Sequence, residues 1–202
     1  MTEKSRFTGT VDPDWLGRHT EPILEPDLPI VDPHHHLWVH PDNVYLMPDL
    51  LEDLASGHDV RATVFEECRS MYRADGPLEW RSLGETQFVN GVAAMSASGL
   101  FGPARACAAI VGQVDLRLGE GAAQVLQAHV AAAGGRFRGV RFATVWHADE
   151  TLHRAFPEPA MLADPRVRQG IACLDALGLS LDAWVYHTQL DEVSAVAQAF
   201  PN

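Results

Sequence analysis

The chain has 202 residues, 47% of them hydrophobic and 21% charged, which is typical of a soluble globular domain. Its net charge of −12 and the scattered positions of its 15 Lys and Arg residues exclude a basic stripe, so we expect no nucleic-acid partner. Because it also lacks a signal-peptide core and any run near the roughly 18 apolar residues of a membrane span, we expect a cytoplasmic protein without membrane contact.

Three cysteines, Cys68, Cys107 and Cys173, lie in or beside apolar segments. Their odd number and the absence of CxxC spacing argue against a disulfide framework or a thiolate metal site. We therefore predict buried, reduced thiols.

The N-terminal residues 1–28 are polar and interrupted by prolines, which predicts an extended arm. The periodic apolar pattern begins at Ile30. We expect the folded domain to occupy residues 29–202.

From Ile30 onward, short apolar strands alternate with helical stretches. Strands are predicted in PIVDPHHHLW, DVRATVFEEC, ACAAIVGQVDL, FRGVRFATVW and LSLDAWVY. Helices are predicted in MPDLLEDLASG, GETQFVNGVAAMSASG, GEGAAQVLQAHVAAAGG, residues 164–177 and TQLDEVSAVAQAF. Helix ends are marked by Gly57, Gly99, Gly134 and Gly178, and Asp164 followed by Pro165 marks a helix start.

Five βα units in succession predict a parallel α/β fold, either a doubly wound sheet or a closed barrel. The strands RATVF and ACAAIVGQV are nearly continuous apolar runs, as expected for a parallel sheet covered on both faces. Neither GxGxxG nor GxxxxGK[ST] occurs, so the sequence offers no phosphate-binding fingerprint of the doubly wound form.

The first strand carries the strongest chemical signal. Asp32, His34 and His36 share one side of this strand, while Pro33 and His35 point to the other. Neutral imidazoles on one side of a strand can share a divalent metal ion, and an aspartate two positions earlier can orient a ligand or shape the turn. Because barrel active sites lie at the C-terminal ends of strands, this position favours an active site over a chance histidine cluster.

The segments LPIVDPHHHLW, VFEEC, GETQFVNG, VGQVDLR, RFRGVRF and WVYHTQL resemble the lactonase-like branch of the amidohydrolase superfamily, which includes sugar-acid and pyrone-dicarboxylate lactonases. The resemblance implies a (β/α)8 barrel of the TIM type that holds zero or one divalent metal ion, with zinc expected. It also implies hydrolysis of a lactone, ester or amide carbonyl by a metal-activated or aspartate-activated water, acting on a small carboxylated substrate.

One departure from this family is the length. Five units reach Asn202, whereas eight units at this spacing need roughly 300 residues. We therefore expect only the N-terminal five or so units of the barrel, with the catalytic base beyond Asn202 and no catalytic residue within the chain. Alone, such a chain is expected to be inactive and to self-associate through its open strand edges.

Further site candidates lie at the ends of later strands. His187 is predicted as a metal ligand and Tyr186 as a substrate-binding residue, although adjacent residues normally face opposite ways. Arg141 resembles the position that holds a substrate carboxylate, the alternative being an ion pair on the barrel rim. Of Glu66 and Glu67, one is expected to face the pocket and Glu66 is assigned to substrate binding, with a solvated pair as the alternative.

The irregular stretch after the fourth strand, with Trp146, His147 and His153, is predicted to be an active-site loop. Two alternatives to the hydrolase stay open, namely a decarboxylase of an aromatic acid and a non-catalytic fragment. The remaining histidines are predicted to be ordinary surface or helix residues: His19, His40, His58 and His129.

Overall fold

The computed structural model describes residues 12–41 and 43–201. Residues 1–11 of the predicted arm lie outside this range. The described part of the arm contains one short helix, α1 (Pro13–Leu16), whose start is capped by Asp12. The Asp12 carboxylate accepts the backbone N–H groups of Asp14 and Trp15 at 3.0 and 3.1 Å.

The regular elements follow one another along the chain in the predicted alternation. In chain order they are β1 (Ile30–His35), β2 (Trp38–His40), β3 (Asn43–Tyr45), α2 (Met47–Leu54), β4 (Val60–Glu66), α3 (Leu83–Ala97), β5 (Arg105–Gly112), α4 (Ala122–Ala132), β6 (Phe137–Ala143), α5 (Pro165–Leu177), β7 (Ser180–Trp184) and α6 (Leu190–Ala199). Short 3-10 helices occupy Leu78–Trp80, Leu116–Gly121, Met161–Ala163 and His187–Gln189.

Five parallel strands form one curled sheet in the order β1-β4-β5-β6-β7. Each strand is hydrogen-bonded to the next sheet strand along the chain, and the order does not reverse anywhere. A doubly wound sheet requires such a reversal. The fold is therefore a partial (β/α) barrel of the TIM type, with helices between its strands, and this prediction is confirmed.

The hairpin formed by β2 and β3 was not predicted. These antiparallel strands pair Trp38 with Tyr45 and His40 with Asn43. Each strand has only three residues, so neither gives a periodicity that separates it from the strand PIVDPHHHLW before it. The alternation of Trp38 and His40 around the turn residues Pro41 and Asn43 was the available signal.

The helix boundaries follow the predicted cap residues. The Asp164 carboxylate accepts the backbone N–H groups of Arg166 and Val167 at 2.7 and 3.3 Å, with Pro165 in the first position of α5. Gly178 ends this helix in the left-handed conformation, with φ +63°. The same left-handed region is occupied by the other predicted helix-ending glycines, Gly57, Gly99 and Gly134.

The hydrophobic core lies between the outer side of the sheet and the helices. Phe65, Ile110 and Val140 from the strands are fully buried there. Helical residues of the same core include Val89, Leu126, Val167 and Leu174. Burying each such side chain contributes about 1.5 to 3 kcal/mol, so this layer fixes the strands whose inner side carries the polar residues.

Within the described residues, β1 and β7 are the edge strands of the curled sheet, as expected for five strands of a barrel. Val31 on β1 is 61% exposed and Trp184 on β7 is 40% exposed. None of the helices in the described part of the chain has the length and apolar character needed to cross a membrane.

All three cysteines are free thiols, as predicted. Cys107 is buried, and Cys68 and Cys173 are partly buried. Burial raises the pKa of both Cys68 and Cys107 to about 12, so these two thiols stay protonated at neutral pH.

Candidate active site

The structure brings His34 and His36 together at the C-terminal end of β1. Their Nε2 atoms are 3.2 Å apart, and their rings meet edge to face at a centroid distance of 4.8 Å. The Asp32 carboxylate accepts the backbone N–H of His34 at 3.1 Å and so shapes the strand at this point. His35 points to the opposite side and is buried against the hydroxyl of Thr63, as the strand alternation predicts.

The ring of His36 is held in one tautomer. Its Nδ1 lies 2.9 Å from the backbone carbonyl of Glu66, and because a carbonyl can only accept, Nδ1 carries the hydrogen. The lone pair of Nε2 is then directed toward His34. Burial lowers the pKa of His36 to about 4, with Arg141 and His34 lowering it further against the opposing carbonyl contact, so the ring is neutral at physiological pH.

The contact with Arg141 indicates that His34 Nε2, like His36 Nε2, carries no hydrogen. The guanidinium Nη1 lies 3.4 Å from His34 Nε2 and can only donate, which assigns a bare lone pair to that nitrogen as well. Burial, and then the positive charge of Arg141, lower the pKa of His34. Two nitrogen atoms without hydrogens thus lie 3.2 Å apart, close enough to bind one cation between them.

The guanidinium of Arg141 is largely engaged with the end of β4. Its Nε donates to Glu67 Oε1 at 2.9 Å, and its Nη2 donates to the Glu67 backbone carbonyl. The side chain is only 12% exposed. Of the three guanidinium nitrogens, Nη1 is the one whose contact is with His34 rather than Glu67, so it is the atom best placed to meet a substrate carboxylate.

Both glutamates at the end of β4 are buried, so the alternative of a solvated pair is wrong. The expectation that one of them leaves the pocket is also wrong. Glu67 Oε1 and Glu66 Oε2 lie 2.9 and 3.6 Å from Arg141 Nε. Because β4 ends at Glu66, the strand alternation does not extend to Glu67, and both carboxyl groups turn toward the same cation.

Asp182 on β7 completes this group of polar side chains and was not predicted. It is paired in register with Arg141 of β6. Burial, followed by the neighbouring Asp182 carboxyl, raises the pKa of Glu66 to about 8, so Glu66 holds a proton at neutral pH. The signal that could have found Asp182 is an acidic residue on the same side of LSLDAWVY as Trp184.

Among the described residues, no hydrogen bond or ring contact links His187 or Tyr186 to His34 or His36. His187 is exposed and begins the 3-10 helix His187–Gln189. The Tyr186 hydroxyl donates to the backbone carbonyl of His153 at 3.1 Å. Across residues 12–41 and 43–201, no three His, Cys, Asp or Glu side chains are arranged to hold a metal ion. The ligand role of His187 therefore stays a prediction.

The irregular segment after β6 packs over the end of β7. The His147 ring contacts the Tyr186 ring at 5.7 Å, and the His153 ring contacts the Trp184 ring at 6.1 Å. Trp184 in turn lies under the guanidinium of Arg141, 5.5 Å from its ring centroid. Of the predicted loop residues, His153 therefore lies against Trp184, the ring that Arg141 covers.

Sequence reasoning missed Gln189, which fixes this segment. Its buried side chain accepts the backbone N–H groups of Trp146 and Tyr186 at 2.9 and 3.2 Å and donates to the carbonyl of Thr144 at 2.9 Å. A glutamine just after a strand gives no sequence signal that distinguishes this role from a solvated side chain.

The donor set fits a divalent metal ion in part. His34 and His36 are neutral and their Nε2 atoms lie 3.2 Å apart, and neutral imidazole is the form that binds zinc. Zinc sites use three or four protein ligands in most proteins, however, and the described residues supply two. A complete site needs at least one further donor.

Comparisons with known proteins agree with the fold. A protein-family model described as amidohydrolase matches residues 31–202. The chain is 28% identical over 198 residues to the uncharacterized protein y4mH of Sinorhizobium fredii (strain NBRC 101917 / NGR234), covering 87% of this chain and 60% of that protein.

Two crystal structures of an amidohydrolase from Burkholderia multivorans are also similar, one with bound HEPES and one with bound zinc. Both are 24% identical to this chain, with TM-scores of 0.55 and 0.56. The similarity covers 84% of this chain and 53% and 54% of the two chains, respectively. The chain thus spans between half and two thirds of the length of the relatives that it matches.

Proposed function

The chain belongs to the amidohydrolase family, and from this membership we propose that it carries part of the active site of a hydrolase that acts on a lactone, ester or amide carbonyl. Within the family we favour the lactonase-like branch, because of the segments that resemble it. The observation that carries the proposal is the 3.2 Å separation of the Nε2 atoms of His34 and His36 at the C-terminal end of β1, with His36 Nδ1 on the Glu66 carbonyl and Arg141 beside His34.

We propose that His34 and His36 are two ligands of one divalent metal ion, with zinc as the expected metal. A bound metal ion of this kind supplies Lewis acidity and lowers the pKa of a bound water toward about 7. The zinc in the Burkholderia multivorans structure supports this assignment. His187 and a donor on barrel strands that would lie between β7 and β1 in a closed barrel are the candidates for the remaining ligands.

The neighbouring residues bind and orient the substrate in this proposal. Arg141 Nη1 receives a substrate carboxylate, while Glu67 fixes the other two guanidinium nitrogens. Glu66, whose proton lies in a hydrogen bond with Asp182, contacts the substrate beside Arg141. Tyr186 and the segment with Trp146, His147 and His153 close one side of the pocket and limit the access of water.

A water activated by an aspartate, with His34 and His36 binding the substrate carbonyl directly, is the alternative mechanism. In that case metal removal leaves the reaction unchanged. The aspartate would belong to a strand other than the five described here, as in the family that the sequence resembles.

The test is a panel of lactones, esters and amides, assayed with the 202-residue chain and with the complete open reading frame that contains it. We expect the reading frame to hydrolyse a carboxylated lactone, to lose activity in chelator and to regain it with zinc, and we expect the 202-residue chain alone to be inactive. Unchanged turnover in chelator removes the metal from the proposal. Release of carbon dioxide from an aromatic acid without lactone hydrolysis supports a decarboxylase instead, and no turnover of any kind supports a non-catalytic role.

A further inference from the structure

Glu85, in the first turn of α3, is a buried carboxylate that none of the proposed catalytic roles uses. Its side chain is 1% exposed. Its Oε1 accepts two backbone N–H groups, from Cys68 at 3.0 Å and from Ser70 at 2.8 Å. Burying a carboxylate is unfavourable unless its hydrogen bonds compensate, so these two contacts are the evident reason for its place in the fold.

The segment that Glu85 holds has a backbone that needs support. It contains Arg69 and Met71, two non-glycine residues with φ values of +62° and +53°. L side chains disfavour this region, and such residues persist where the surrounding structure fixes them. Next to Glu85, a Cβ on Gly84 would lie 2.5 Å from the Met71 carbonyl oxygen and 2.8 Å from Arg73 N, so the start of α3 packs directly on this backbone.

This same segment leads directly out of the candidate active site. Glu66 and Glu67 immediately precede Cys68, and the backbone carbonyl of Glu66 accepts His36 Nδ1 at 2.9 Å. Glu67 accepts two hydrogen bonds from Arg141, one through its carboxylate and one through its carbonyl. The path of the chain after β4 therefore sets the partners of both His36 and Arg141.

We propose that Glu85 is a positioning residue, which holds the backbone of Cys68 and Ser70 so that Glu67 keeps Arg141 against His34. The proposal rests on the proposed function only in taking His34 and His36 as the functional pair. Glu85 acts through the length and direction of its side chain. Its second oxygen, Oε2, is buried without a hydrogen-bond partner among the described residues, and burial raises the pKa of this carboxyl to about 7 against the opposing effect of the Cys68 and Ser70 amides.

Two variants of the full chain separate side-chain length from charge. Glu85→Gln keeps an acceptor oxygen at the same reach without the charge, and Glu85→Asp keeps the charge but shortens the side chain by one methylene. Glu79→Gln, on the exposed 3-10 helix Leu78–Trp80, is the matched control for loss of one acidic charge. The readouts are the Arg141 Nε–H resonance and the exchange rates of the Cys68 and Ser70 amides, measured by 1H–15N NMR.

We expect the Arg141 Nε–H resonance and slow amide exchange to persist in Glu85→Gln and in the control. In Glu85→Asp we expect the Arg141 resonance to broaden or disappear and the two amides to exchange at least about tenfold faster. If Glu85 were merely structural, Glu85→Asp would lower global stability without this selective change at Arg141, Cys68 and Ser70. Any result other than the expected one, above all an unchanged Arg141 resonance in Glu85→Asp, overturns the proposal. Neither readout depends on turnover, so a failure of the hydrolase assay leaves this test decisive.

Discussion

Two sites in this molecule hold histidines whose pKa is lowered, and the two sites differ in what the ring nitrogen atoms contact. Burial lowers the pKa of His36, beside His34 on β1, and of His129, on α4, to about 4 in both cases. In His129 both ring nitrogens are engaged by hydroxyls at the start of α3, Nδ1 by Thr86 at 2.8 Å and Nε2 by Ser82 at 3.2 Å.

The histidine pair of β1 contacts no hydroxyl group among the described residues, and its partners are Glu66, Arg141 and each other. His36 uses one ring nitrogen on the Glu66 carbonyl, and its other nitrogen faces His34 on the open side of the sheet. A shifted pKa therefore does not separate a functional histidine from a structural one in this fold. The direction of the free lone pair does, because a ligand can use only a nitrogen that the protein has left accessible.

The largest expected difference is in stability. His129→Ala leaves the hydroxyls of Ser82 and Thr86 unpaired and opens a cavity in a site that is 0% exposed, so we expect the free energy of unfolding to fall by about 3 to 5 kcal/mol. His34→Ala, at an exposed position, is expected to cost less than about 1 kcal/mol. Urea denaturation measures the free energy of unfolding of both variants. Similar losses in the two would contradict the distinction between the buried His129 and the exposed His34.

The pH dependence of stability is the next expected effect. The unfolded chain protonates His129 near pH 6.5, whereas the folded chain does so only near pH 4, so the neutral ring contributes stability above pH 6.5 that is lost as the pH falls to about 4. The loss is roughly 3 kcal/mol. It appears as the difference between the wild type and His129→Gln, because His36, Glu66 and Glu85 titrate in both proteins. A constant difference from pH 7 to pH 4 would show that His129 is accessible to protons.

For activity we expect the opposite ranking, with the larger effect from substitutions of His34 and His36. In the complete reading frame, we expect His34→Ala and His36→Ala each to lower kcat/KM for lactone hydrolysis at least about 100-fold, which corresponds to about 2.7 kcal/mol of transition-state stabilisation. The exposed His58→Ala is the control and should keep full activity. Retention of activity in both site variants at saturating zinc would remove the pair from the mechanism.

The smallest expected effect concerns His35, which lies between His34 and His36 in the sequence but is buried and hydrogen-bonded like His129. Its Nε2 meets the Thr63 hydroxyl at 2.8 Å, and this hydroxyl also accepts the backbone N–H of Cys107 at 2.9 Å. Thr63→Val should lower the free energy of unfolding by about 1 to 3 kcal/mol and change hydrolysis less than about threefold. A loss of activity as large as that of His34→Ala would place His35 in the active site.

The sequence predicts the parts of this comparison that depend on short-range pattern. Strand alternation places His34 and His36 on one side, and the succession of βα units predicts a parallel sheet, whose barrel order was implied by the family resemblance. The burial of His129 could have been found, because it follows Ala122, Val125 and Leu126 at helical spacing on the buried face of α4. His129 was predicted to be an ordinary surface or helix histidine; it lies on a helix, but its burial was not predicted because the polarity of the residue was weighed above this spacing.

Other features depend on contacts between distant segments, which no single-segment pattern contains. Glu67 turns toward Arg141 because β4 ends one residue earlier, at Glu66. The raised pKa of Glu66 depends on burial in the folded chain and then on Asp182 from β7. The two loop-fixing side chains, Glu85 and Gln189, are each recognisable only from the backbone atoms that they contact.

The most direct test of the central claim is a side-chain 1H–15N NMR titration of the histidine rings with zinc, with His129 as the internal reference. Before zinc, we predict a protonated Nδ1 and a bare Nε2 on His36. On addition of zinc up to millimolar concentration, the Nε2 resonances of His34 and His36 should shift together while both nitrogens of His129 stay in place. Unchanged Nε2 resonances on the β1 pair, or an equal response of His129, would contradict the assignment of His34 and His36 as the accessible, ligand-binding pair.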